Sequence, residues 1–213
     1  MIHKNADERI EYFLKQNKMK WEYGNSILYR MCKESPYHSD IDEIVGKVWI
    51  IGRAYAAAIE RRKNATQGSD DFYYDEVGPS LLKHGKELDI RLAELKSYSR
   101  PTTENLHKIL DTHKFLTDLF FEISGMEKRS LASKYLHFHC PQLFYIYDER
   151  ARIASQKYVS LNKNDRLPYS FSGFDEEYLK LCLRLFRLQE YINTKYHVYL
   201  TPRQLDDLLL FYS

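Results

Sequence analysis

Between Glu127 and Asp148 the chain carries no carboxylate, in the stretch EISGMEKRSLASKYLHFHCPQLFYIYDERARIA, residues 122–154. A basic run with Lys128, Arg129 and Lys134 passes through Pro141 into aromatics, and Asp148 then opens a charged segment. An isolated acid in that place either caps a helix with its side chain or faces a reacting group. Two neighbouring patterns invite other chemistry and fall short of it. His137, Phe138, His139 and Cys140 suggest a metal, but helix residues two apart point about 200° apart, so the histidines do not share an ion. No second cluster with ligand spacing follows, so no metal and no cofactor is expected. Cys140 reads as a small buried apolar residue. Arg53 is the other candidate, a charge inside the apolar, small-residue stretch VWIIGRAYAAA, where it needs a partner. Glu60 shares its helix face and offers an ion pair; alternatively Arg53 lines a pocket beside Tyr55 and reaches Asp148.

Helical periodicity supplies the elements that must hold these residues. It predicts helices over 6–18, 26–33, 40–62, 80–96, 103–124, 128–139, 148–158 and 175–193, with a last one capped by Thr201 and begun by Pro202. The helix over 40–62 is rich in Gly46, Gly52 and Ala54–Ala58, which places it at the centre of the fold. Its Gly-x5-Gly spacing lacks the turn and lysine of a phosphate loop. Residues 64–79 read as a loop, and Gly125 as a helix stop. The only competing strand pattern is a weak one in LFYIY, residues 143–147. The expectation is an all-α chain of eight to ten helices without internal repeat. They form a single domain over 1–213, or two closely packed helical lobes within it.

The chain has 213 residues, 44% hydrophobic and 29% charged, with a net charge of +2. That total does not imply strong non-specific attraction to nucleic acid, although one face can still be basic. Three isolated cysteines form no disulfide framework. The charged N-terminus lacks the apolar core of a signal peptide, and no apolar run reaches membrane length. A soluble cytoplasmic protein is expected, with no membrane partner.

Gly125, Lys128, Arg129 and Asp148, in SGMEKR and SLASKYLHF followed by PQLFYIYD, carry a resemblance. They look like the helix-hairpin-helix DNA glycosylase superfamily, and more closely like uncharacterised bacterial proteins with an 8-oxoguanine DNA glycosylase fold. There a glycine-containing hairpin, a lysine opening the second hairpin helix and a later aspartate form the site. The resemblance implies DNA as partner, excision of a damaged base, and Asp148 stabilising a cationic transition state. Gly125, Lys128 and Arg129 would then hold a phosphate. Phe144, Tyr145 and Tyr147 would stack on a base. Two departures stand out. Glu127 replaces the second hairpin glycine, and Arg129 occupies the lysine position, where a guanidinium forms no Schiff base. The departures point away from lyase chemistry through an amine and toward a monofunctional glycosylase with Asp148 as the matching catalytic group; Lys134, five residues on, is the second catalytic candidate. The alternative is a module that keeps the fold, binds nucleic acid or protein, and has no activity.

Overall fold

The computed structural model describes residues 1–3, 5–16, 21–62, 68–169 and 173–211. Along the chain the helices are α1 (Ala6–Gln16), α2 (Glu22–Glu34), α3 (Ile41–Ala54), α4 (Ser69–Phe72), α5 (Gly78–Leu95) and α6 (Leu106–Ser124). They continue as α7 (Arg129–His139), α8 (Glu149–Gln156), α9 (Lys163–Arg166), α10 (Glu176–Tyr196) and α11 (Pro202–Leu210). A π-helical turn, Tyr73–Val77, joins α4 to α5, and a 3-10 turn, Leu167–Tyr169, follows α9. Among the described residues no strand forms, only an isolated bridge between Ile2 and Val159. None of the helices is long and apolar enough to cross a membrane.

Side-chain caps set several of the starts. Asp40, Asp148 and Asp175 accept the amides of Glu43, Ala151 and Tyr178 at 3.0, 2.7 and 2.8 Å. Thr201 and Gln204 form a reciprocal capping box on α11. Gly125 stops α6 in the left-handed region, at φ 66. Thr103, expected to begin that helix, lies outside it. Thr102 and Asn105 exchange side-chain bonds there, and the helix begins at Leu106.

The apolar residues divide into two cores. One gathers α2, α3, the π turn, α5, most of α6 and α7; the other gathers α1, the first turn of α6, α8, α10 and α11. The helix α6 crosses both, giving Leu106 and Leu110 to one core and Leu116 and Phe120 to the other. So does the segment after α7, with Leu143 and Phe144 in the first core and Tyr145 and Tyr147 in the second.

Two expectations are corrected and one is narrowed. The helix predicted to run to Arg62 ends at Ala54. Ala56 takes φ 51, and the Ala57 and Ala56 amides bond the Gly52 and Arg53 carbonyls at 2.7 and 3.3 Å. That is a Schellman turn with alanine where glycine is usual. The helix expected at the centre, α3, contacts α2, the π turn, α5 and α7, and shares that place with α7, which is buried from Leu131 to Cys140. The expected loop at 64–79 is helical over its described part, because Phe72, Tyr73 and Val77 belong in the core; residues 64–67 lie outside the described residues.

Small residues do permit close helix approach, but on α5. A Cβ at Gly78 would sit 3.0 Å from Ile41 and 3.1 Å from Val45 of α3, whereas one at Gly46 would meet nothing. A Cβ at Gly85 would come within 2.3 Å of the His38 carbonyl oxygen. Gly85→Ala is therefore expected to cost about 1–3 kcal/mol through overpacking. Gly46→Ala should gain roughly 0.5–1 kcal/mol from lost unfolded-state entropy. Urea unfolding of the two variants measures both, and equal midpoints would sink the assignment of the close contact to α5.

Candidate functional site

The segment 143–147 read as a weak strand is an extended connector with no strand beside it. All five of its residues are buried. Buried backbone must still be paired, and here side chains do it. The ring Nδ1 of His137 lies 2.8 Å from the Phe144 carbonyl, and the Tyr178 hydroxyl donates to that of Tyr145 at 3.1 Å. Ser130 Oγ donates to the Tyr147 carbonyl at 3.1 Å, while the Tyr147 amide donates to Ser133 Oγ at 3.0 Å. His137 thus carries its proton on Nδ1, leaving Nε2 to accept from the Tyr29 hydroxyl at 2.7 Å. His139 turns elsewhere, to the Tyr135 carbonyl at 2.9 Å. These bonds hold Asp148, one residue beyond the connector, in fixed register with α7.

Lys134 faces the same place. Helical side chains lean toward the N-terminus, so its amine lies one turn back, donating to Ser130 Oγ at 2.8 Å and to the Tyr55 carbonyl at 3.3 Å. The residue is 2% exposed and forms no ion pair among the described residues. Burial lowers its pKa from the ordinary lysine value, a fall that the charges of Asp148 and Asp206 partly oppose. Asp148 spends Oδ1 on the α8 cap and lines, with Lys134, a cleft of about 1150 Å³. Leu28, Ile50, Tyr55, Tyr147 and Leu210 supply its apolar and aromatic walls.

The last helix closes the cleft. Arg203 donates to Asp206 at 3.0 Å, to Asp207 at 2.9 Å and to the Tyr55 hydroxyl at 3.4 Å. The same hydroxyl donates to Asn25 at 2.7 Å. Burial pushes Asp206 up to about 7, despite the pull of Arg203. Sequence reasoning misses Arg203 and Asp206, because charges three and four residues apart on a helix ordinarily lie in solvent. The available signal was an acid four residues after Pro202 and three before Leu209, within the helix's buried stripe.

The remaining candidates have other partners. Arg53, 49% exposed in its side chain, pairs with Glu60 at 2.7 Å and lies outside the cleft, so it does not reach Asp148. Tyr145 sits in the second core, away from the cleft that Tyr55 and Tyr147 line. Lys128 turns inward to the carbonyls of Ala58 and Arg61. Arg129 clamps both oxygens of Asp175 at 2.9 Å and also holds Glu127 at 2.7 Å, tying α7 to α10. With Gly125 as helix stop, the hairpin cations are thus engaged by protein groups. A separate chain, Asp89 to His38 at 2.6 Å and His38 to the Tyr135 hydroxyl at 2.7 Å, has the order of an acid–base–hydroxyl triad. Tyr135 is 0% exposed and burial raises its pKa, so that hydroxyl is shut away from any substrate.

The Asp206 carboxyl has a consequence for stability. An unfolded aspartate titrates near about 3.9, whereas folded Asp206 keeps its proton up to about 7. Between those values the native state binds the extra proton, so stability falls as pH rises through the window and levels off above it. Asp206→Asn removes this dependence. Its melting temperature should gain on that of the wild type as pH increases from about 5 to about 8, and parallel curves would contradict the buried acid. Comparison with protein-family models, curated proteins and solved structures finds no match to this chain.

Proposed function

We propose that the cleft is a base-excision site and that the protein acts on DNA as a glycosylase. The observation that carries this reading is that the buried Lys134 and the Asp148 carboxylate line one cleft with aromatic walls, close enough for the charge of Asp148 to act on the amine. A flipped nucleotide needs such a pocket, and its glycosidic bond breaks through a cationic transition state that a carboxylate stabilises. Asp148 supplies that charge through the oxygen not used as a cap.

Lys134 extends the reading to an amine nucleophile. Arg129 stands at the position where the resemblance expects a lysine, but Lys134 leans back by a turn and delivers its amine to the level of Ser130. Its lowered pKa increases the neutral, nucleophilic fraction near neutral pH. Attack at C1′ forms an N–C bond as the glycosidic bond breaks and its electron pair leaves with the base. The sugar ring then opens to a Schiff base.

One observation favours the rival reading of a binding module without activity. Lys128 and Arg129 are engaged by protein carbonyls and carboxylates. The hairpin therefore offers a phosphate little beyond backbone amides.

The experiment that separates the two is borohydride trapping on duplex and single-stranded DNA carrying a panel of base lesions, with alkali treatment to reveal abasic sites. Wild-type protein should release a base and form a covalent adduct. Asp148→Asn should slow excision by about 100-fold or more, and Lys134→Ala should abolish the adduct. The trapping rate should rise with pH and level off below about 10.4, the ordinary lysine value. Binding without abasic sites on any substrate would leave the module reading standing.

A further inference from the structure

Asp206 is the acid in the cleft whose surroundings leave one atom unanswered. Its Oδ2 is held by Arg203, while Oδ1 has no hydrogen-bond partner and the residue is 3% exposed. The ion pair with Arg203 engages Oδ2 alone, and the same guanidinium also meets Asp207 at 2.9 Å. One positive charge therefore serves two carboxylates, with Asp148 adding a third negative charge nearby. A phosphate or carboxylate entering this end would meet those acids together. A planar, uncharged heterocycle would meet the walls of Tyr55 and Tyr147, with Asp206, whose Oδ1 is buried and unpartnered, in the lining.

We propose that Asp206 Oδ1 reads the edge of the base held in the cleft, accepting an N–H from a nitrogen heterocycle. This rests on the reading of the cleft as a base site and names the group that selects its occupant. A polar site of this kind discriminates strongly, because an analogue without the donor leaves the oxygen buried and unpaired.

The arrangement also makes the selection sensitive to pH. With Oδ2 occupied by Arg203, a proton added to Asp206 goes to Oδ1 and turns the free atom from acceptor into donor. The groups acting on it are Arg203 and Asp207 on α11, Asp148 at the start of α8 and Lys134 on α7. The Tyr55 and Tyr29 phenols also feel its charge, and burial keeps both protonated. Together they leave the titration of Asp206 at about 7.

The test is calorimetric titration of the whole chain with 1-methyluracil against 1,3-dimethyluracil, and with 9-methylhypoxanthine against 1,9-dimethylhypoxanthine. At about pH 8 the N–H-bearing base of each pair should bind about tenfold more tightly or better, and at about pH 5.5 the preference should shrink to about threefold or less. Asp206→Asn should lose the preference at both pH values. Arg203 holds its amide oxygen and an NH₂ then stands where Oδ1 was. Glu94→Gln, on α5 and outside the cleft, should keep it. Equal wild-type affinity within each pair at the higher pH, or an unchanged preference in Asp206→Asn, would overturn the proposal. Should Asp206→Asn not fold, the wild-type pH comparison decides alone. Base preference without excision on any DNA supports this inference and sinks the enzyme reading. Excision with no preference that depends on Asp206 does the reverse.

Discussion

An extended segment buried between two helical cores must find partners for its backbone, and this requirement organises the rest of the molecule. Residues 143–147 have no neighbouring strand, so α7 and α10 supply the hydrogen bonds from His137, Ser130, Ser133 and Tyr178. Leaving buried backbone groups unpaired costs on the order of 1–3 kcal/mol each. The connector is thus pinned at several points along its length. Asp148 inherits that rigidity. So does Lys134, because Ser130 joins its amine to the Tyr147 carbonyl through a single hydroxyl.

The same economy explains the polar residues of α7. A helix buried along most of its length ordinarily carries apolar side chains, yet α7 has Ser133, Lys134, His137 and His139 inside. Ser133 and His137 answer the connector, and His139 answers its own helix at Tyr135. Lys134 alone among them reaches a cavity. Its amine answers Ser130 and the Tyr55 carbonyl and also lines the cleft, and that last feature separates it from its neighbours as a candidate for chemistry.

Much of this architecture was legible in the sequence because it rests on local rules. Asp148, Asp175 and Thr201 announce helix starts, and Gly125 a helix stop, through residue type and position alone. The ends that were misread depend on tertiary context. Ala56 gives no hint of a left-handed turn, since alanine is the best helix former and only the return of the chain over Gly52 stops α3. The aromatic run 72–77 looked like loop because a π turn breaks the usual periodicity. At the site, Asp148 stands out as the carboxylate that ends a carboxylate-free run over 128–147, and Lys134 as a lysine inside that run. Arg203 and Asp206 do not, because i, i+3 and i, i+4 pairs on a terminal helix usually lie in solvent.

The cleft charges are interdependent, and α11 sets their balance. An ionised Asp206 would hold the Lys134 ammonium in its protonated form. A neutral Asp206 withdraws that support and makes the amine easier to deprotonate. Burial against α8 raises the Asp206 carboxyl, and Arg203, shared with Asp207, only partly counters it. The C-terminal helix thus acts on the reactivity of a lysine on α7 without forming an ion pair with it. The same helix also supplies Arg203, Asp206 and Leu210 to the lining of the cleft. The neutral Asp206 lowers the cost of presenting a neutral amine to a ligand, and that effect would be lost if α11 left α8.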